Sequence, residues 1–182
     1  MNKRNEILAG AALTFEQQGF RGIGIDHILA TTGASTRTLY KHFGSRDGLV
    51  TAVLEARHLA FMRQVAEQDS SVEPVGSLFD TLRCWTTLRG AHGCMLLRAR
   101  SEYAAANADI VKLVERQKLE FRAEVAARVL DALGHEDDEL VSQIWLLFEG
   151  ATAAATVSNV SVIDEAKSAA LTLVEHARGR HA

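Results

Sequence analysis

The sequence predicts an all-α fold, on three observations. Proline is confined to Pro74, Ala, Leu, Glu and Arg are abundant, and β-branched residues never alternate over a long stretch. Of the 182 residues, 47% are apolar and 24% charged, which suits one compact domain or a small module joined to a larger one and excludes wholesale disorder.

The elements follow in order. From Lys3 to about Gln18, the residues Ile7, Leu8, Ala11, Ala12 and Phe15 recur at three and four and make one buried stripe, with Gly19 as a C-terminal stop. A loop leads into a short segment holding Ile25, Ile28 and Leu29, closed by Gly33. Ser35 or Thr36 then caps a second short segment with Leu39, Tyr40 and Phe43, and Gly44 ends it. Ser45 is an N-cap for a long helix from Arg46 to about Gln68, which at 1.5 Å per residue is roughly 34 Å long and links two parts of the chain. Residues 69–74 form the clearest break, with Pro74 suited to the first turn of the next helix. Further helices are expected near 74–90, 94–105, 108–133, 138–158 and 162–178, about nine in all. The expected domains are residues 1–48, a three-helix head, and residues 49–182, a helical bundle.

Charge and cysteine content narrow the classes. Residues 1–48 hold six Lys or Arg against four Asp or Glu, whereas the remainder holds fourteen against nineteen. A weakly basic head on an acidic body suits a local polyanion contact, while a pI near 6.2 argues against broad adhesion to nucleic acid. Cys84 and Cys94 are too few for a disulfide scaffold or a thiolate zinc site. The start MNKRNEIL lacks a secretory apolar region and no apolar run is long enough to span a bilayer, so a cytoplasmic protein is expected. No HExxH, GxxxxGK[ST] or GxSxG occurs, and the run Gly19, Gly22, Gly24 reverses a dinucleotide loop and follows a helix. The expectation is a protein that is not an enzyme and has no metal or cofactor.

Residues 19–50 carry the chemistry. A short apolar helix, a turn at Gly33 and a second short helix pack steeply when Ile25, Ile28, Leu29 and Leu39 supply the inner faces, leaving Thr36 to His42 outward as small polar groups and cations. This is a helix-turn-helix. Gly19-Phe20, Gly33, Thr38-Leu39-Tyr40, His42-Phe43 and Ser45-Arg46-Asp47 together resemble the head of the TetR family of bacterial transcriptional regulators at the family spacing. Gly93-Cys94, Leu96, Leu97 and Glu102-Tyr103 are similar to a stretch in one subgroup. Two positions depart from the pattern: Leu29 stands where a helix-turn-helix favours a small residue, and Arg37 where the family often has glycine.

The resemblance implies Thr36, Arg37 and Thr38 as base-edge readers, and Tyr40, Lys41, His42 and Arg46 as phosphate contacts. The chemistry is compatible, since Arg37 can pair bidentately with guanine, short threonines permit close approach, and the amide end of the next helix attracts phosphate. Lys3 and Arg4 are candidates for a flexible arm along the duplex.

One recognition helix makes few base contacts, so a homodimer on a palindromic site in double-stranded DNA is expected. The family forms its dimer through the last two helices, and the candidate interface residues are Ile144, Phe148, Ala151, Ala155, Leu171 and Val174. The middle helices are implied to enclose an apolar or aromatic small-molecule effector, and repression is the family's commoner behaviour. Candidate lining residues are Phe61, Trp85, Leu88, Cys94 and Met95, then Tyr103, Phe121 and Trp145, with Glu149 as a polar anchor. Two rival readings remain at this point: an all-helical protein-interaction module without DNA binding, and a small enzyme.

Overall fold

The computed structural model describes residues 2–30 and 32–180. Among these the all-α expectation is borne out: there are nine α-helices and no strand. They are α1 (Lys3–Gln18), α2 (Ile25–Ala30), α3 (Thr36–Phe43), α4 (Arg46–Glu67), α5 (Pro74–Arg89), α6 (Met95–Tyr103), α7 (Ala108–Leu133), α8 (Asp138–Ala154) and α9 (Val162–Gly179). No helix is long and apolar enough to cross a membrane among the described residues.

Caps explain most of the boundaries. Asn2 accepts from the Arg4 amide at the start of α1, and Asp137 accepts from the Leu140 amide at the start of α8. Asn107 Oδ1 accepts from the amides of Asp109 and Ile110, which starts α7 and ends α6 two residues sooner than its periodicity suggests. Helix α8 stops at Ala154 rather than near residue 158. There the Thr156 hydroxyl donates to the Ala153 carbonyl at 2.7 Å, the amides of Thr156 and Val157 bond three residues back, and Val157 is 90% exposed. The last turn tightens, and no buried contact rewards continuing it.

The chain forms two compact units. The first takes in Met1–Ala60 and Met95–Gln117, and is therefore larger than the three-helix head alone. Its core joins Ile7 and Phe15 of α1, Ile28 and Leu29 of α2, Leu39 of α3, Leu49 and Leu54 of α4, Ala99 and Tyr103 of α6, and Ile110 of α7. The rings of Phe15 and Phe20 lie 4.9 Å apart and Tyr103 meets Phe20 edge-on. Leu29, at the position where a small residue is usual, is 4% exposed, so the core here accommodates the longer side chain.

The second unit comprises Phe61–Cys94 and Lys118–Ala182. Its core holds Leu78 and Phe79 of α5, Phe121 and Val125 of α7, Leu140, Ile144 and Phe148 of α8, and Ile163, Ala170 and Val174 of α9. Lys167 on α9 binds Glu73 and Asp80, each at 2.8 Å, which fixes α9 against α5. The buried Arg128 guanidinium donates to Glu124 and to the Val65 carbonyl, so its charge is paired inside.

The corner between α3 and α4 sets where α3 points, and it depends on a glycine. A Cβ on Gly48 would lie 2.0 Å from the Phe43 carbonyl oxygen at the end of α3. Substituting Gly48→Ala is therefore expected to lower stability by about 1–3 kcal/mol, as overpacking against backbone does. A urea unfolding titration measures it.

Candidate nucleic-acid interface

Helix α3 is held in place from three sides. At its start, Ser35 has an extended backbone and its hydroxyl accepts from the Thr38 amide at 3.2 Å, the expected N-cap. Before it, Gly33 turns the chain with φ +59°, a conformation that favours glycine, while the Thr32 hydroxyl donates to the Leu29 carbonyl. At its end the Gly44 amide donates to the Tyr40 carbonyl. Between these points Leu39 is fully buried and Phe43 packs against the same core. The register of the helix is fixed by that one apolar face.

The opposite face is polar. Thr36, Arg37, Tyr40 and Lys41 are exposed, and the two pairs Thr36–Tyr40 and Arg37–Lys41 are each one turn apart, so the four side chains make one contiguous surface. Thr36 makes a long 3.4 Å bond to Asp26 on α2. The Thr38 hydroxyl is shared with Ser35 at 2.9 Å and the residue is half-buried. His42 is half-buried too, its ring edge-on to Phe43. Lys3 and Arg4 do not form a free arm: both belong to α1, with Lys3 bonded to Glu6 at 2.5 Å and Arg4 lying 5.3 Å over the Phe43 ring.

Arg46 departs from its expected role. Its guanidinium turns into the first unit, donating to the Tyr103 hydroxyl at 2.8 Å, to the Phe20 carbonyl and to the Ile23 carbonyl at 3.2 Å, and it lies 6.0 Å over the Phe15 ring. A cation so engaged is not offered to phosphate. Its neighbours add further ties. Glu102 on α6 accepts from the amides of Phe20 and Arg21 at 2.9 and 2.8 Å, Arg98 donates to the Glu16 carbonyl at 3.0 Å, and Asn107 donates to Asp47 at 2.8 Å. Burial pushes the Tyr103 phenol above its ordinary pKa, against the opposing effect of Arg46. Sequence spacing suggested Tyr103 as ligand lining and did not single out Glu102 as a clamp. Its only trace was a carboxylate followed by an aromatic on a short helix.

The other candidate positions separate by unit. Met95 and Tyr103 pack in the core of the first unit, and Leu88 is 74% exposed. In the second unit Phe61 lies 5.2 Å from Trp85 and 5.7 Å from Phe121, ring centre to ring centre, and Phe148, which was expected at the subunit interface, completes the group at 4.5 Å from Phe121. Trp145 packs beside this core, and Glu149 receives Lys118 at 2.6 Å. Cys94 is half-buried.

The expected interface residues need correction. Ile144, Phe148, Ala155 and Val174 are each at most 5% exposed within the single chain and belong to its own core, Leu171 is partly covered, and Ala151, 4% exposed, belongs to the core but also lines the open groove of α8 and α9. A different face of α8 and α9 is open. Leu146, Leu147, Gly150 and Ala154 on α8 and Ala166, Ala169 and Leu173 on α9 line a nearly apolar groove of about 890 Å³, with Leu146 62% exposed. The stripe Leu146, Gly150, Ala154 was readable in the sequence, but it competes with the adjacent Ile144, Phe148, Ala151 stripe. Helical period alone does not rank two apolar faces.

Among the described residues, no group of three or more His, Cys, Asp or Glu is arranged to hold a metal. The structural role of Arg46 has a measurable consequence. Arg46→Met, which strands the Phe20 and Ile23 carbonyls and the Tyr103 hydroxyl, is expected to cost about 1–3 kcal/mol, and Arg46→Lys to recover only part, since an ammonium lacks the planar fork. Chemical denaturation of the three proteins reads this directly.

Comparison with known proteins agrees with this geometry. Residues 7–53 match the family model described as bacterial regulatory proteins, tetR family. The HTH-type transcriptional repressor AcnR of Corynebacterium glutamicum is 33% identical over 90 residues, which cover 48% of this chain and 47% of the relative. The protein of the same name from Corynebacterium efficiens is 32% identical over 91 residues, covering 49% and 48%. The chain thus spans about half the length of the curated relatives it matches. A TetR-family transcriptional regulator from Streptomyces coelicolor shares the fold at a TM-score of 0.84 over 97% of this chain and 96% of that one, with 21% identity. The head, residues 7–53, is thus similar in sequence to the tetR family of bacterial regulatory proteins, and the nine helices of the described residues share the fold of a solved TetR-family regulator.

Proposed function

We propose that the protein is a transcriptional regulator that binds a palindromic operator as a homodimer and represses until a small-molecule effector releases it. The observation that carries this reading is the outward face of α3, where Thr36, Arg37, Tyr40 and Lys41 stand exposed on a helix whose other side is locked into a core. A helix that presents small polar groups and two cations, with its long apolar residues turned inward, can enter a major groove about 12 Å wide without obstruction. Thr36 and Arg37 are the base readers, Tyr40 and Lys41 the phosphate contacts, with Thr38 and His42 at the edges. Arg46 supports the head from inside. In functional terms residues 1–48 are the DNA-binding part and residues 49–182 the ligand-binding and dimerising part.

Dimerisation is supported by the α8–α9 groove. An open face lined by Leu146, Leu147, Gly150, Ala154 and Leu173 removes apolar area from water when a second copy covers it, and the small residues let the helices approach closely. The effector reading rests on the ring cluster of Phe61, Trp85 and Phe121 in the second unit, which suits an apolar or aromatic molecule. Repression is carried over from the two Corynebacterium relatives, which are repressors by name. An interaction module is less well supported, because α3 offers polar and cationic side chains where such a surface relies on apolar anchors.

Selection of bound sequences from random duplex DNA is expected to return a palindrome. Arg37→Ala is expected to cost about 1–3 kcal/mol and relax preference at one base pair per half-site. Lys41→Ala should instead weaken all sequences alike and reduce the salt slope by about one. A protein that selects no sequence, or whose affinity ignores both substitutions, refutes the assignment. Leu146→Glu is expected to give a folded monomer by light scattering with loss of palindrome binding, whereas a variant that stays dimeric removes the groove from the interface.

A further inference from the structure

Within the second unit a largely buried charged pair joins α7 to α8, two helices that also carry packed aromatic rings. Lys118 on α7 donates to Glu149 Oε1 on α8 at 2.6 Å, and the two side chains are only 16% and 14% exposed. Phe121, one turn after Lys118, and Phe148, the residue before Glu149, have ring centres 4.5 Å apart, and Phe61 stands 5.7 and 6.1 Å from them. Burial lowers the Lys118 pKa, but the Cys94 sulfur and the Glu149 carboxylate beside it outweigh burial and raise it above the ordinary lysine value. The group is an ammonium at neutral pH.

Such a pair adds little to stability, since apolar residues of the same volume serve a core equally well or better. A second polar group, on the same helix as Glu149, is left unsatisfied by the fold. Trp145 lies one turn before Glu149 on α8, and its Nε1 is buried with no hydrogen-bond partner. An indole N–H removed from water without an acceptor is costly, and such groups are rare in folded proteins. Lys118 has three N–H groups, which meet the Glu149 carboxylate and the Cys94 sulfur, whereas the Trp145 N–H meets no acceptor. What Trp145 lacks is an acceptor.

We propose that this cluster binds a small aromatic carboxylate, whose carboxylate accepts from Lys118 and from Trp145 Nε1–H while its ring packs against Phe61, Trp85 and Phe121. The assignment rests on the effector reading above and gives that effector a chemical class. An amine suits the site less well, because Glu149 is already committed to Lys118 and an incoming cation meets the ammonium beside it. Phe61, Trp85 and Trp145 are only partly buried, so a ring can reach them without dismantling the core.

The test uses the full chain and three probes that share a naphthylmethyl group: 1-naphthylacetate, 1-naphthylacetamide and 2-(1-naphthyl)ethylamine, titrated by calorimetry. The acid is expected to bind at least about tenfold tighter than either of the others. Trp145→Phe, which deletes the donor, should weaken the acid several-fold and the amide, whose carbonyl is an uncharged acceptor, by less. The double variant Lys118→Met with Glu149→Leu removes the pair as a unit, so no charge is left alone, and should abolish the preference. Lys118→Arg should keep it. Circular dichroism melts establish that each variant is folded; if the double variant is not, Trp145→Phe decides, and an unchanged acid affinity overturns the proposal. Equal or tighter binding of the amide or amine, binding of none of the three, or a preference that survives the double variant also overturns it. Failure of the wider reading looks different. An acid that binds with the expected preference yet leaves DNA affinity untouched supports the ligand class and removes the effector role, whereas release of DNA by another molecule while the acid does not bind does the reverse.

Discussion

Helix α3 spans Thr36–Phe43, two turns, and a helix of that length is not stable in water by itself. Its existence and its direction both depend on burying Leu39 in the core that α1, α2 and α4 build around it. That one contact decides which residues face outward, because a helix locked by one apolar stripe presents the opposite stripe to solvent. The Ser35 cap and the Gly33 turn refine the start, and the close approach of Gly48 to the Phe43 carbonyl refines the end. The exposed quartet of Thr36, Arg37, Tyr40 and Lys41 is a consequence of this burial.

The first unit does not stop at the helix-turn-helix. Arg46, Glu102, Arg98 and Asn107 join the α1–α2 loop, the start of α4 and helix α6 through donors and acceptors with few alternatives. Each bond satisfies a group that a loop or helix end would otherwise leave open. An arginine at the start of α4 is suited to this work: its planar fork reaches two carbonyls and a hydroxyl together, and it stacks over Phe15. The same residue type at a helix start would serve phosphate binding if its fork pointed outward. Only the fold determines which.

The second unit combines two kinds of surface that composition does not distinguish. Helix α8 is apolar on two faces, one covered by α5, α7 and α9 and one open along Leu146, Gly150 and Ala154. The covered face makes the core; the open face is the one we propose a second copy covers. The charged pair between Lys118 and Glu149 stands against this apolar background, and the proposed preference for an aromatic carboxylate rests on it.

Much of this was legible in the chain itself. The helical class, the order of the elements, the Ser35 cap, the turn at Gly33 and the polar stretch from Thr36 to His42 all follow from local rules, namely spacing at three and four, capping chemistry and the permissiveness of glycine. Those rules act over a few residues, so sequence states them directly. The partners of Arg46, the clamp made by Glu102 and the choice between the two faces of α8 are different in kind. Each depends on groups tens of residues away, brought together only when the chain has packed: Tyr103 beside Arg46, Phe20 beside Glu102, α5 and α9 against Ile144 and not against Leu146. Periodicity determined that α8 has apolar stripes, and the tertiary structure decided which of them is the inside.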